Sequence, residues 1–134
     1  MRTLAVLFCS LVTLLSVGTV EAAAPDASVT VAMQKSGSEA TLLGMFFHDH
    51  QLGWAVGSGG TILKTTDGGH KWKKVSSGTT SLLTAVYFRD AQRGWVVGAN
   101  GTVRMSKDGG ETWTVLIVST QAPLYGIAFA SPMK

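Results

Sequence analysis

Two aspartates, Asp67 and Asp108, are the residues that most invite a chemical interpretation. Each is followed directly by two glycines and, five positions later, by a tryptophan. An exposed aspartate could act as a general acid. In a glycine turn, however, its carboxylate accepts hydrogen bonds from the amides of its own turn and has little capacity left for a substrate. We therefore predict that both aspartates build turns.

His48 and His50 are the candidates for a metal site, because they alternate onto one face of an extended segment. A structural or catalytic metal needs three or four ligands, and two further ligands at suitable spacing are missing. The loop from Gly57 to Gly60 lacks the lysine and helix of a phosphate-binding loop. We predict no metal and no cofactor.

A glycosidase of the sialidase type is the enzymatic alternative. Turns with an aspartate, glycines and a tryptophan at this spacing are called Asp-boxes, and they are frequent in the β-propellers of such enzymes. These enzymes resemble one another in using three arginines together with a tyrosine and a glutamate. Tyr87 and Tyr125 fall within predicted strands, whereas Glu39 and Glu111 have no evident partners. We therefore predict no catalytic residues and no enzymatic activity.

The aspartate turns belong to a longer segment that occurs twice. Gly53-Trp54-Ala55-Val56-Gly57 returns as Gly94-Trp95-Val96-Val97-Gly98, a shift of 41 positions. Aligning residues 42–75 with 83–116 gives identity at 14 of 34 positions, far more than chance would give, so the chain contains an internal repeat. The repeated structural positions are Gly53, Trp54, Gly57, Asp67, Gly69, Trp72, Gly94, Trp95, Gly98, Asp108, Gly110 and Trp113.

Each repeat divides into four short β-rich runs separated by turn residues. The predicted strands are Leu42 to Phe47, Trp54 to Val56, Thr61 to Thr66 and Trp72 to Val75 in the first repeat, and Leu83 to Phe88, Trp95 to Val97, Thr102 to Ser106 and Trp113 to Val118 in the second. Four strands in about forty residues are typical of one β-propeller blade. We predict an all-β propeller in which the Gly-Trp strand lies between blades and its flanking glycines allow sharp turns near the axis.

The domain organisation follows from the repeat and from the apolar N-terminus. Residues 1–22 have the pattern of a removable signal peptide, which contains Cys9, the single cysteine. We expect residues 23–41 to contribute an outer strand of a preceding blade, 42–82 and 83–123 to form two complete blades, and 124–134 to begin a third, truncated blade. The mature chain then has no membrane span.

The number of blades limits this interpretation, because a closed propeller needs at least four. We expect either that the chain is part of a longer propeller or that it self-associates through its open blade faces. The formal net charge of +3 is small and spread along the chain. It does not favour nucleic-acid binding, which uses a dense basic stripe.

The repeated run from Phe47 to Trp72, and again from Phe88 to Trp113, closely resembles the photosystem II stability and assembly factor family of propellers with Asp-box repeats. The resemblance implies an exported, non-enzymatic protein that binds a protein client, namely an unassembled photosystem II core subunit in a photosynthetic host. It implies the thylakoid lumen there, and the periplasm or the exterior of other bacteria. A self-assembling structural repeat protein is a further alternative.

The resemblance also implies that arginines on one face contact the client. Arg89, Arg93 and Arg104 are the arginines beyond the signal, and all lie in the second repeat. A guanidinium suits this role because its planar fork binds a carboxylate through two hydrogen bonds. The alternative is that Arg89 and Arg93 only keep a loop soluble.

Overall fold

The computed structural model describes Val20–Glu21, Ser28–Val29 and residues 33–130. Strands β1 (Val20–Glu21) and β2 (Ser28–Val29) form a separate antiparallel pair. The predicted signal peptide lies otherwise outside the described residues, and so do most of the predicted outer strand of a preceding blade and residues 131–134. Within the described residues no helix is long and apolar enough to cross a membrane.

Two four-stranded antiparallel sheets form the body of the chain. The first, blade 1, consists of β3 (Leu42–Phe47), β4 (Gly53–Gly57), β5 (Ile62–Thr65) and β6 (Lys73–Val75) in spatial order. The second, blade 2, consists of β7 (Leu83–Phe88), β8 (Gly94–Gly98), β9 (Val103–Ser106) and β10 (Thr114–Val115). The prediction of an all-β fold built from four-stranded blades is confirmed.

The two blades repeat each other in register as well as in sequence. Leu42 pairs with Gly57 as Leu83 pairs with Gly98, and each pairing is followed by the same register irregularity. The predicted strand from Trp113 to Val118 is too long, because β10 ends at Val115. Its partner β9 begins at Val103, which accepts a hydrogen bond from the amide of Leu116. Residues after Leu116 therefore have no residue of β9 with which to pair.

The core lies between the blades. Blade 1 contributes large apolar side chains from its second to fourth strands, and blade 2 contributes the face of its sheet that is turned toward blade 1. The buried cluster consists of Trp54, Val56, Ile62, Val75, Leu83, Val86, Phe88, Val96 and Trp113. Stability therefore depends on blade-to-blade contact rather than on either sheet alone.

The link that leads into the first strand of each blade, β3 or β7, has the same hydrogen bonds in both repeats. Ser77 accepts a hydrogen bond from the amide of Thr79, whose own hydroxyl accepts one from Ser81. Ser36 and Ser38 form the same pair of bonds before blade 1. The repeat thus extends upstream of β3 at least to Ser36.

The last residues of β4 and β8, Gly57 and Gly98, have a different role from the predicted one. Neither Gly57 nor Gly98 has a positive φ; Gly57 has a φ of −174°. A Cβ on Gly57 would lie 2.0 Å from the carbonyl oxygen of Thr41, and one on Gly98 would lie 2.0 Å from that of Leu82. These glycines permit close backbone approach to the preceding link rather than a sharp turn.

Candidate client-binding surface

The aspartate turns close the hairpins between the third and fourth strands of each blade. In blade 2 the carboxylate of Asp108 accepts hydrogen bonds from the Ser106 hydroxyl at 2.8 Å and from the amides of Glu111 and Thr112 at 3.1 and 2.9 Å. The Thr112 hydroxyl donates a further bond to the same carboxylate. The aspartate is occupied by its own turn.

The first turn has the same construction, but its carboxylate accepts two hydrogen bonds instead of four. The carboxylate of Asp67 accepts from the Thr65 hydroxyl at 2.8 Å and from the amide of Lys71 at 2.9 Å. Lys71 stands where the second turn has Thr112, so no hydroxyl reaches the carboxylate from this side. His70 contacts the carbonyl oxygen of Asp67 through Nδ1 at 2.6 Å.

These bonds lower the pKa of both carboxyls. The Thr112 hydroxyl is the largest cause of the shift in Asp108 and, with the turn amides, lowers its pKa from 3.8 to about 2. The amide of Lys71 is the largest cause of the lowered pKa of Asp67. Both side chains are ionised at neutral pH, and a group in that state cannot donate a proton to a leaving group.

The loop between the first two strands lies at the same end of each blade as the aspartate turn. The amide of Gly109 donates to the carbonyl oxygen of Gln92 at 2.8 Å, and Gly68 makes the matching bond to Gln51 at 2.9 Å. Asp90 organises the second loop by accepting bonds from the amides of Gln92 and Arg93. We call this end of the blades, formed by residues 48–53, 66–72, 89–93 and 107–112, the rim.

Two contacts tie the rim of blade 2 to blade 1. The indole N–H of Trp54 donates to the carbonyl oxygen of Gly109 at 3.1 Å. Glu111 accepts from the Nζ of Lys64 at 2.6 Å and from that of Lys73 at 3.1 Å. The sequence-based view that Glu111 has no partner is wrong, because both lysines come from the neighbouring blade.

The two ion pairs lower the pKa of Glu111. The hydrogen bond from Lys64 is the largest cause of its lowered pKa, followed by that from Lys73. A carboxylate held between two ammonium groups is ill suited to protonate a sugar oxygen. The sequence signal that could have revealed this contact is weak: Glu111 replaces His70 between the copies, but the spacing does not show which blade it faces.

The structure brings Arg89 and Arg93 together in the rim loop of blade 2. The amide of Arg89 donates to the carbonyl oxygen of Arg93 at 3.0 Å, and Arg93 Nε pairs with Asp90 at 2.9 Å. Amide bonds from Arg93 and Gln92 are the largest causes of the low pKa of Asp90, about 2. Among the described residues, the side chain of Arg89 makes no hydrogen bond or ion pair.

Arg104 is separated from the other two arginines. It lies in β9 opposite Val96, and its Nη2 donates to the carbonyl oxygen of Gly78 at 2.8 Å. Gly78 precedes β7, whereas Arg89 follows β7, so the guanidinium of Arg104 is directed to the end of blade 2 away from the rim. Its Nε is buried without a hydrogen-bond partner.

The remaining candidates do not gather into a site. His48 and His50 lie in the exposed rim loop of blade 1, and no group of three or more metal-ligating side chains occurs within the described residues. Tyr87 stacks with Phe129 at 5.2 Å between ring centroids, while Tyr125 is exposed. The tyrosines are therefore not paired with a glutamate in the described structure.

The fold and the turns together define a class of protein: a β-propeller whose repeated aspartates organise hairpins. The profile of the family "Photosynthesis system II assembly factor YCF48" matches residues 26–127, and the chain belongs to this family.

Two solved structures are similar to the chain. One, described as "YCF48 bound to D1 peptide", is 32% identical with a TM-score of 0.54, and the match covers 60% of this chain and 27% of that one. The other, "YCF48 from Cyanidioschyzon merolae", is 27% identical with a TM-score of 0.55 and covers 61% and 28%. This chain thus spans little more than a quarter of either relative. A comparison with curated proteins finds no match.

Proposed function

We propose that this chain is part of an exported, non-enzymatic propeller that binds a protein client, and that in a photosynthetic host the client is a photosystem II core subunit. One observation carries the proposal: a relative of 32% identity with the same blade structure has been solved with a D1 peptide bound. The membership of the chain in the YCF48 family supports the same assignment.

The rim loop of blade 2 is our candidate for the contact with the client. Arg89 is exposed, and Arg93 presents the part of its guanidinium that Asp90 does not occupy. An acidic client segment would gain charge-assisted hydrogen bonds from both residues. Arg104 belongs to a different part of the blade and is expected to contribute less to this contact.

The test uses the full chain and overlapping synthetic peptides that cover D1. We expect one peptide to bind in a salt-dependent manner, and Arg89→Glu to weaken binding while Lys107→Glu, an equal charge change on the neighbouring turn, has a smaller effect. Equal losses from both substitutions would contradict the arginine contact. Absence of binding to every peptide would contradict D1 as the client.

Export and the absence of enzymatic activity form part of the same proposal. In a bacterial host we expect protein recovered from the periplasm to begin at Ala23, as intact mass would show; recovery of unprocessed cytoplasmic chain would contradict export. We expect no hydrolysis of a fluorogenic sialoside. Measurable turnover would instead favour the sialidase-like alternative.

A further inference from the structure

The fourth strands of the two blades are equivalent in position but differ at their free edges. Strands β6 and β10 are the last strands of their sheets, and no described strand pairs with the outer side of either. An outer strand faces away from the propeller axis, so additional blades would pack on the faces of the sheets and leave these edges open. In the described residues the edge of β10 therefore lies on the outer side of the blade, where packing of further blades on the sheet faces does not cover it.

The hydrogen-bond pattern shows which groups the edge of β10 offers. The amide of Leu116 donates inward to Val103. Because the bonding direction alternates along an antiparallel strand, the N–H and C=O groups of Val115 face outward, and Ile117, beyond the end of β10, makes no backbone hydrogen bond to a described residue. The backbone groups of these two residues form a short row of donors and acceptors that an added strand could use.

Side chains decide whether such an edge accepts a strand. In blade 1 the edge carries Lys74 and Ser76, and a lysine of this kind opposes strand addition. The equivalent residues in blade 2 are Val115 and Ile117, which are 61% and 96% exposed. The run from Thr114 to Val118 has no charged residue and is rich in β-branched side chains, so it lacks this protection.

A groove lies beside the same segment. It has a volume of about 240 Å³ between the turn at 100–102 and the segment 115–118, and Arg104 is the one charged residue among its lining residues. The corresponding groove of blade 1 keeps one apolar side chain, Val75, and has Lys74, Ser76 and Ser77 at the positions of Val115, Ile117 and Val118. Blade 2 therefore combines an open edge with an apolar wall and a single cation.

We propose that the outer edge of blade 2, from Thr114 to Val118, binds an extended segment of the protein client by strand addition. The segment that fits has apolar side chains on the face toward the groove and one acidic side chain near Arg104. Backbone hydrogen bonds to Val115 and Ile117 would provide the affinity, and the groove would provide the selectivity. This proposal rests on the proposed function, since it assumes a protein client.

The size of the edge favours a peptide segment over a second copy of this chain. The five residues of this edge, of which Thr114 and Val115 form β10, would pair with an extended segment of roughly 17 Å, which is the length of a short peptide. A stable contact between two folded bodies buries on the order of 1,000 Å² or more, which an edge of this length does not supply. Arg104 in the groove adds a charge preference that pairing between two identical uncharged edges would not use.

The experiment measures binding of a fluorescein-labelled, end-capped heptapeptide, Thr-Val-Thr-Glu-Thr-Val-Thr, to the full chain by fluorescence polarisation, because its two valines and its glutamate share one face of an extended strand. The variant V115K/I117S gives blade 2 the edge residues of blade 1, and we expect it to weaken binding by about tenfold or more. The reciprocal variant K74V/S76I is expected to strengthen binding. Both substituted pairs are at the surface, and urea unfolding monitors whether each variant is folded.

Two altered peptides test the mechanism. Methylation of alternate backbone nitrogens removes the ladder donors, and we expect it to abolish binding. Replacement of the glutamate by lysine is expected to weaken binding through Arg104. Unchanged affinity of V115K/I117S, or of the methylated peptide, would overturn the proposal. Concentration-dependent dimerisation that V115K/I117S abolishes, without peptide binding, would overturn it in favour of self-pairing.

The result is separable from the test of D1 binding. If a D1 peptide binds the chain and the edge variant binds it equally well, the proposed function stands and strand addition at β10 fails. If the heptapeptide binds at the edge but no D1 peptide binds, the edge is a peptide site and D1 is the wrong client.

Discussion

The indole ring of Trp54 in blade 1 stacks on the phenyl ring of Phe88 in blade 2, with centroids 3.5 Å apart and planes inclined by 7°. Both side chains are almost completely buried. Phe88 also meets Trp113 of its own blade edge to face at 5.8 Å, so the aspartate hairpin of blade 2 packs against the ring that contacts blade 1. The equivalent rings one repeat later, Trp95 and Phe129, are also in contact, but their centroids are 4.4 Å apart and their planes are inclined by 41°.

Replacement of Trp54 by alanine should be among the most destabilising single changes. It removes a fully buried ring, its stacking partner and the hydrogen bond to Gly109, and we expect a loss of about 3–5 kcal/mol in the free energy of unfolding. Urea denaturation followed by far-UV circular dichroism measures this loss. Trp95→Ala is the matched control, because Trp95 is only partly buried; an equal loss would contradict the importance of the interblade stack.

Gly59 and Gly60 allow backbone strain to be separated from steric conflict. They have φ values of 64° and 69°. A Cβ on Gly59 would contact nothing within 4 Å, whereas one on Gly60 would lie 1.8 Å from the carbonyl oxygen of Thr79. We expect Gly59→Ala to cost about 1–2 kcal/mol, the ordinary cost of a left-handed residue, and Gly60→Ala to cost clearly more. Thermal unfolding of the two variants provides the comparison, and equal costs would contradict it.

Removal of the Thr112 hydroxyl should raise the pKa of Asp108. In Thr112→Val the carboxyl keeps its amide bonds but loses the bond that is the largest cause of its low pKa. Carbon-detected NMR titration of the carboxyl measures the change, with Asp67 as the internal control. A pKa of Asp108 that stays near 2 would show that the amides alone are sufficient.

The low pKa of Asp108 makes the free energy of unfolding depend on pH in acid. Its folded pKa of about 2 lies below the ordinary 3.8. The group therefore contributes stability that is present above pH 3.8 and is lost as the pH falls toward 2. Thr112→Val should have a smaller decline in stability across this window, which urea midpoints at several pH values would detect; an unchanged slope would contradict the linkage.

Glu111 should make a small, salt-dependent contribution to the interface between the blades. Lys73 is exposed and Lys64 is largely covered, so we expect Glu111→Gln to cost about 0.5–1 kcal/mol at low ionic strength and less in concentrated salt. The lowered pKa of Glu111 places this contribution above its ordinary value of 4.5, and it is lost as the pH falls below that value. Urea denaturation in low and high salt tests the effect. A cost independent of salt would indicate lost packing instead.

Much of the fold could be predicted because blade structure is local. The spacing of Gly53, Trp54 and Asp67 is read directly from the repeat, and β3 and β7 begin and end at the predicted residues. Alternation of apolar residues, together with turn glycines, determines where short strands form. The end of β10 was predicted less well because it depends on the length of its partner β9.

The candidate surface could be predicted only in part. The sequence places three arginines in one repeat, but the structure keeps Arg89 and Arg93 in the rim and directs Arg104 to Gly78. The direction in which a strand residue points, and the link it meets, depend on register and on the neighbouring blade. The residues that distinguish β6 from β10 can be read from the sequence. Only the strand order of the structure shows that both strands lie at the edges of their sheets.

The sequence by itself determined the repeat, the positions of most strands within a blade and the turns that Asp67 and Asp108 organise, because each depends on residues only a few positions apart. The tertiary structure decided the contacts between blades: the ring of Trp54 against Phe88, and Glu111 between Lys64 and Lys73. These contacts join residues from 34 to 47 positions apart in different sheets, and the packing of one sheet on the next, rather than local spacing, selects them.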